Sequence, residues 1–507
     1  MKRKDIISII LLSTFICLSG CTNQKKTPSE SVEESIVSEE PSIVESQSES
    51  EEESEERITE GTIKKRLQAL PRVKNVKPNG GSNFFLNTYI FDFEQYIDHN
   101  DKSKGTFYQS VEIGFNGFDL PNVFVTSGYM TSMNNASYQQ NENELAFLLE
   151  CNYIFVEHRY FDTSLPVELD YSNVETWKYL TTEQSARDHH DIVTQMKRIL
   201  DGKWVSTGMS KGGMTTELYA YYHPGDMDLY LPYVAPFCNS IADTRMMKFI
   251  FEEAGDKQYG ETRAKKYRDE VLEFQTTLLS YRNVLAPKFY QDGIKAGCQF
   301  SELTTADNLF DAAVIEFGIG FWQYNQDYKK LENTLKTVKS TTETLTNKQN
   351  ACYSMLTSVS SPSDLAVNNE FTPYYVQAYQ ELGNYGYDFS YIRNALTDKA
   401  LLTVKEDEER DLMFNLALTN EERKLEKKPL MYTKINEMLK TSEENFIIIY
   451  GSSDPWYAVR PDDVERDNVS IYVSETTPHG TFIGSSFGTT IKNEILTKIK
   501  TILGMEA

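Results

Sequence analysis

Apolar and polar positions change rhythm twice along the body of the chain. In residues 83–128, FFLNTYIFDFEQYI and GTFYQSVEIGF alternate apolar with polar, and NVFVTSG is a short apolar run ending in Gly. Alternation with period two predicts half-buried strands, and the short run a fully buried one, so three strands are expected here. NYIFV (152–156) predicts a fourth, ending at Glu157-His158-Arg159-Tyr160. From Thr182 to Leu200 the spacing of Ala186, Ile192, Val193, Met196 and Ile199 suits one face of a helix. A strand at Trp204–Thr207, a helix from Gly212 to Tyr222 and a strand at Leu229–Val234 follow. Strands alternating with helices predict a mostly parallel α/β sheet covered on both faces.

After Pro236 the rhythm becomes helical, as in TRMMKFIFEEAG and ALTNEERKLEKK, and strand candidates are few until Thr441. The sheet pattern then resumes with NFIIIYG (445–451) and VSIYV (469–473), and a helix near Ile491–Leu503 closes the chain. The simplest organisation is an α/β domain in two parts, 58–242 and 442–507, with a helical cap inserted at 243–441. No internal repeat is present.

The first twenty residues read as a targeting segment. Lys2, Arg3 and Lys4 precede IISIILLSTFICL, an apolar core short for a bilayer span, and Leu18-Ser19-Gly20-Cys21 follows. This resembles the bacterial lipoprotein signal, with Cys21 as the lipidated first residue of the mature chain. Residues 22–56 hold twelve Glu against two Lys, many Ser and no aromatic residue, too little apolar surface to offset the entropy of ordering. The stretch 21–57 is therefore expected to be a solvated tether. The expected location is the outer face of a cell membrane, with the membrane as partner only through the anchor. Release as a secreted protein is the alternative.

The formal charge of the whole chain is −24. An acidic body repels nucleic acid and anionic lipid, so neither is an expected partner. Cys151, Cys238, Cys298 and Cys352 lie in the body without a Cys-x-x-Cys pair, which argues against zinc. Cys298 and Cys352 either form a disulfide or remain thiols.

Candidate chemistry centres on WVSTGMSKGGMT (204–215). Here Ser210 stands between Gly208 and Gly212, after a strand and before a helix. Such a strained turn projects a serine hydroxyl from the carboxyl edge of a sheet and aims the next amide, that of Lys211, at a developing oxyanion. In this α/β-hydrolase arrangement the acid and then the histidine follow the serine in the chain. Asp454, in YGSSDPW, and His479, in TTPHGTF, each lie just past a predicted strand. Ser210 is thus the candidate nucleophile, His479 the base and Asp454 its orienter, with Asp462 and Asp463 as fallback acids. A second oxyanion donor is expected at the end of the third strand, near Gly128-Tyr129, either as a backbone N–H or as the Tyr129 hydroxyl.

The remaining histidines carry less. His189 and His190 are adjacent on a helix and face different ways, His223 ends a helix, and His99 sits in a turn. His158 and Arg159 end a strand and are expected to be scaffold. No metal or other cofactor is expected.

VEHRYFDTSLP (156–166), YLTTEQSARDHHDIVTQMK (179–197), GKWVSTGMSKGGMT (202–215), VAP (234–236) and SSDPWY (452–457) together resemble the secreted bacterial prolyl tri- and tetrapeptidyl aminopeptidases. These serine peptidases are related to prolyl carboxypeptidases and lysosomal dipeptidyl peptidases. The resemblance spans most of 60–240 and 445–490 and is loose through the cap. It places the nucleophile, acid and base on Ser210, Asp454 and His479. Lys211 follows the aminopeptidase branch, since the prolyl carboxypeptidases usually carry an aromatic there. The implied activity is release of short proline-ending peptides from a free N-terminus, with peptides as substrates. A proline ring needs a rigid apolar slot, for which Trp456 is either a wall or a core residue, and the substrate ammonium needs a carboxylate, for which Glu157 is one candidate. An esterase or acyltransferase on the same triad is the alternative, and a binding protein with a relict triad is a third class.

Overall fold

A computed structural model describes residues 56–80, 82–129 and 144–505. Cys21, the targeting segment and nearly all of the tether lie outside the described residues. So do residues 130–143, just after Tyr129.

Nine strands form one sheet in the order β1-β2-β3-β5-β4-β6-β7-β10-β11. The first three, β1 (Val73–Pro78), β2 (Asn87–Tyr96) and β3 (Thr106–Phe115), are antiparallel, and β3 also meets β5 (Asn152–Val156) in antiparallel fashion. From β5 onward every pairing is parallel, through β4 (Asn122–Thr126), β6 (Trp204–Met209), β7 (Leu229–Tyr233), β10 (Phe446–Gly451) and β11 (Val469–Ser474). The composition follows the position. All residues of β4, β5, β7 and β10 are buried, as strands covered on both faces require. Strand β1, with the polar sequence VKNVKP, lies at the sheet edge and is largely exposed.

This is the α/β-hydrolase fold, with a mixed, mostly parallel sheet and a helical insertion. Helices Thr182–Met196 and Lys211–Tyr222 pack beside each other, the second directly after β6. Between β7 and β10 the chain runs almost wholly through helices, from Arg245–Glu252 to Met431–Thr441. Two two-residue strands, β8 (Ala242–Asp243) and β9 (Asn384–Tyr385), pair within this region. The insertion has its own apolar core, with Phe274, Leu278, Phe310, Val314, Phe317 and Met413 at its centre, distinct from the core of the sheet. The chain from Glu55 to Ala507 nevertheless packs as one unit. No helix among the described residues is long and apolar enough to cross a membrane. The four body cysteines are free thiols, so Cys298 and Cys352 are not bridged.

Candidate active site

Ser210 follows β6 and sits at φ +58°, ψ −121°, a strained conformation for a residue with a side chain. Its own amide donates to the Tyr233 carbonyl at 2.9 Å, which ties the turn to the next strand. Helix Lys211–Tyr222 must leave β6 at once, and glycines make that possible. A Cβ on Gly208 would stand 2.4 Å from the Gly212 oxygen, and one on Gly212 would stand 2.7 Å from the Thr126 oxygen. The Lys211 N–H, first in its helix, has no partner in that helix and is available to an oxyanion.

Asp454 and His479 come together at the ends of β10 and β11. His479 Nδ1 and Asp454 Oδ2 are 2.7 Å apart, with the carboxylate fully buried and the imidazole 3% exposed. The second carboxylate oxygen accepts the Trp456 N–H at 3.1 Å, so the acid is held from both sides. The loop bearing His479 crosses the end of β10 so closely that a Cβ on Gly451 would lie 2.3 Å from the Pro478 carbonyl oxygen. His479 Nε2 is buried and, among the described residues, makes no hydrogen bond, to Ser210 Oγ or any other group. Ser210 and Asp454 leave strands β6 and β10, two places apart in the sheet, a lateral step of about 10 Å that accommodates an imidazole between them.

The insertion reaches this loop. Its helix Ala306–Gly320 continues as a π-helical segment, Phe321–Asn325. The Gln323 carbonyl accepts the His479 N–H at 3.2 Å, and the Tyr324 ring stands edge-on to the imidazole with centroids 5.4 Å apart. Ser453, beside the acid, donates to Gln258 of the insertion at 2.8 Å.

Around the expected oxyanion site the structure narrows the choice. Gly128 lies against the Lys211–Gly212 backbone, where a Cβ would come within 2.6 Å of the Gly212 nitrogen. The Tyr129 N–H is already spent, donating to Ser127 Oγ at 3.1 Å. Its backbone amide is therefore not free to stabilise an oxyanion, which leaves the Gly128 N–H and the Tyr129 phenol. That ring is framed edge-on by Phe161, Phe371 and Tyr374, and burial raises the pKa of its hydroxyl. The Lys211 side chain turns inward. Burial brings its ammonium down to about 7, opposed in part by the nearby Glu381 carboxylate.

Trp456 is half-buried, packs against the core of the insertion and meets the Tyr385 ring edge-on at 5.4 Å. Glu157 is not an ammonium anchor. It is fully buried, and its Oε2 accepts from Ser164 Oγ at 2.7 Å and Thr163 Oγ1 at 3.1 Å, which makes it an internal brace. Its neighbours are scaffold too. Arg159 pairs with Asp188, and burial, reinforced by Lys211, holds the His158 imidazole well below its usual range.

Sequence reasoning missed one cluster. His190, His223 and Asp226 bring candidate ligand atoms within 4.8 Å of one another, far along the helices from Ser210. The imidazoles stack at 4.3 Å, and Asp226 Oδ2 is shared by His190 and the Tyr219 hydroxyl. His223 and Asp226 lie three residues apart just past helix Lys211–Tyr222, and its packing against helix Thr182–Met196 brings them to His190.

Residues 57–486 match the family described as PS-10 peptidase S37. A prolyl tri/tetrapeptidyl aminopeptidase from Streptomyces mobaraensis is 26% identical over 400 residues, covering 78% of this chain and 75% of that protein. Solved structures with overall likeness include a proline iminopeptidase from Mycobacterium smegmatis, at 10% identity and TM-score 0.31, covering 81% of this chain and 98% of that one. A peroxisomal α/β-hydrolase from Saccharomyces cerevisiae stands similarly, at 10% identity and TM-score 0.33, covering 84% and 92%. With the family match spanning most of its length, the chain belongs to the S37 family of serine peptidases.

Proposed function

We propose that this serine peptidase is an exopeptidase releasing short proline-ending peptides, of three or four residues, from the free N-terminus of peptide substrates. The observation that carries the reading is the His479–Asp454 pair, with Nε2 unpartnered, on a loop pinned to the helical insertion.

In this reading Ser210 Oγ attacks the scissile carbonyl while His479 Nε2 takes its proton. Asp454 keeps the other imidazole proton on Nδ1 and stabilises the imidazolium. The Lys211 amide and the Tyr129 hydroxyl receive the oxyanion. His479 then protonates the leaving amine, and water repeats the sequence on the acyl-enzyme. Trp456 forms a wall of the slot for the proline ring, and the insertion closes one end of the cleft so that only chain ends enter. The relative named for prolyl tri/tetrapeptidyl activity supports the choice of substrate.

We place the enzyme on the outer face of the cell membrane through lipid on Cys21. Incorporation of a fatty-acid label that persists in Cys21→Ala would remove that placement. For the activity, the test is hydrolysis of fluorogenic Ala-Ala-Pro amides and short-chain esters side by side. Prolyl amide cleavage with little ester turnover is expected. Ester turnover alone would make the chain an esterase, and neither would leave a binding protein.

A further inference from the structure

The substrate's ammonium needs a carboxylate that is reachable and free of its own cation. Asp311 is fully buried against Arg282, and Glu422 and Glu381 are 1% and 4% exposed. Glu316 meets both conditions.

Glu316 lies on helix Ala306–Gly320 and retains some exposure. Its Oε1 accepts from the Tyr385 hydroxyl at 2.8 Å and from the Tyr387 hydroxyl. Among the described residues no Lys, Arg or His forms an ion pair with it. Burial, partly offset by the two phenols, raises its carboxyl to about 7, and the Asp364 carboxylate nearby adds to the rise. An incoming ammonium would relieve both penalties. The Tyr385 ring meets the Trp456 ring edge-on, and the Trp456 backbone N–H donates to Asp454, so two neighbouring residues link this carboxylate to the candidate acid.

We propose that Glu316, steadied by Tyr385 and Tyr387, receives the free α-ammonium of the substrate. This rests on the exopeptidase reading above and assigns the ammonium site to one side chain.

The test compares wild type with Glu316→Gln on Ala-Pro, Ala-Ala-Pro and Ala-Ala-Ala-Pro fluorogenic amides, each with a free and an acetylated N-terminus. In the wild type, acetylation of Ala-Ala-Pro should cost at least about tenfold in kcat/KM, as loss of a charge-assisted hydrogen bond implies. In Glu316→Gln that penalty should fall below about threefold. Glu316→Asp, which keeps the charge on a shorter arm, should restore much of the discrimination, and thermal melting checks that each variant folds. An unchanged acetylation penalty in folded Glu316→Gln overturns the assignment while prolyl cleavage by the wild type upholds the exopeptidase reading. A wild type that cleaves esters but no prolyl amide overturns both.

Discussion

Arg159 and Asp188 form a two-pronged ion pair with no exposure on either side: Nε meets one carboxylate oxygen at 2.6 Å and Nη2 the other at 2.7 Å. Arg159 also donates to the Tyr179 carbonyl, and Asp188 accepts from His99. Two of the family-like stretches, VEHRY and SARDHH, are thus a single buried fastening between β5 and the next helix. Asp188→Asn would leave the guanidinium buried without its counter-charge. A loss of roughly 3–5 kcal/mol is expected, measured as a lower urea midpoint, with activity per folded molecule retained. A loss under about 1 kcal/mol, the range of a surface pair, would mean that the pair does not hold the fold.

Ser210→Ala should reduce turnover at least about a thousandfold without changing the melting temperature, because the triad works as a unit. Asp454→Asn should also be severe, since it leaves the imidazole in the wrong tautomer. Asp462 and Asp463 serve as internal controls. Asp462 binds Tyr432 and Lys440 at the surface and Asp463 binds Arg460, so their Asn variants should stay near wild-type activity. Damage from either of those instead of Asp454 would reassign the acid.

Removing the Tyr129 hydroxyl tests the second oxyanion donor. With the Tyr129 amide held by Ser127, Tyr129→Phe should lower kcat by about 10²-fold or more and move KM little. A change under about threefold would transfer the role to the Gly128 amide, which lies against the turn.

Glu217 predicts a pH dependence of stability. It is fully buried in the helix after Ser210, neither carboxylate oxygen has a partner among the described residues, and burial pushes its carboxyl up to about 8. In the unfolded chain the group titrates near 4.3, so between about pH 4.3 and 8 the native state binds the extra proton. Its contribution is fully present below that window and is lost as pH rises through it, by at most about 1.4 kcal/mol per pH unit. Glu217→Gln should therefore flatten the decline between pH 5 and 8 in denaturant titrations. Parallel curves for the two proteins would show that the group does not titrate in the fold.

The sheet was legible wherever burial dictated the pattern. The strands from β2 onward in the main sheet announce themselves because apolar alternation or an unbroken apolar run is what their positions demand. Strand β1 does not, because an edge strand with one neighbour tolerates VKNVKP. The two-residue strands β8 and β9 are too short for any period. Ser210, Asp454 and His479 could be singled out as candidates because each lies just past a strand in the chain order that an α/β-hydrolase triad requires, and the structure pairs the last two. Glu157 was misjudged for a physical reason: ending a strand at the active edge says nothing of which way the side chain turns, and it turns toward Thr163 and Ser164. Glu316 is invisible in sequence, as its isolation from cations depends on helices packed from distant segments.

The hydrogen bond from the His479 amide to the Gln323 carbonyl ties the loop that bears the imidazole to the helical insertion. A shift of the insertion at Gln323 would therefore pull on the backbone that carries His479, so that substitutions loosening the insertion reach the histidine without touching it.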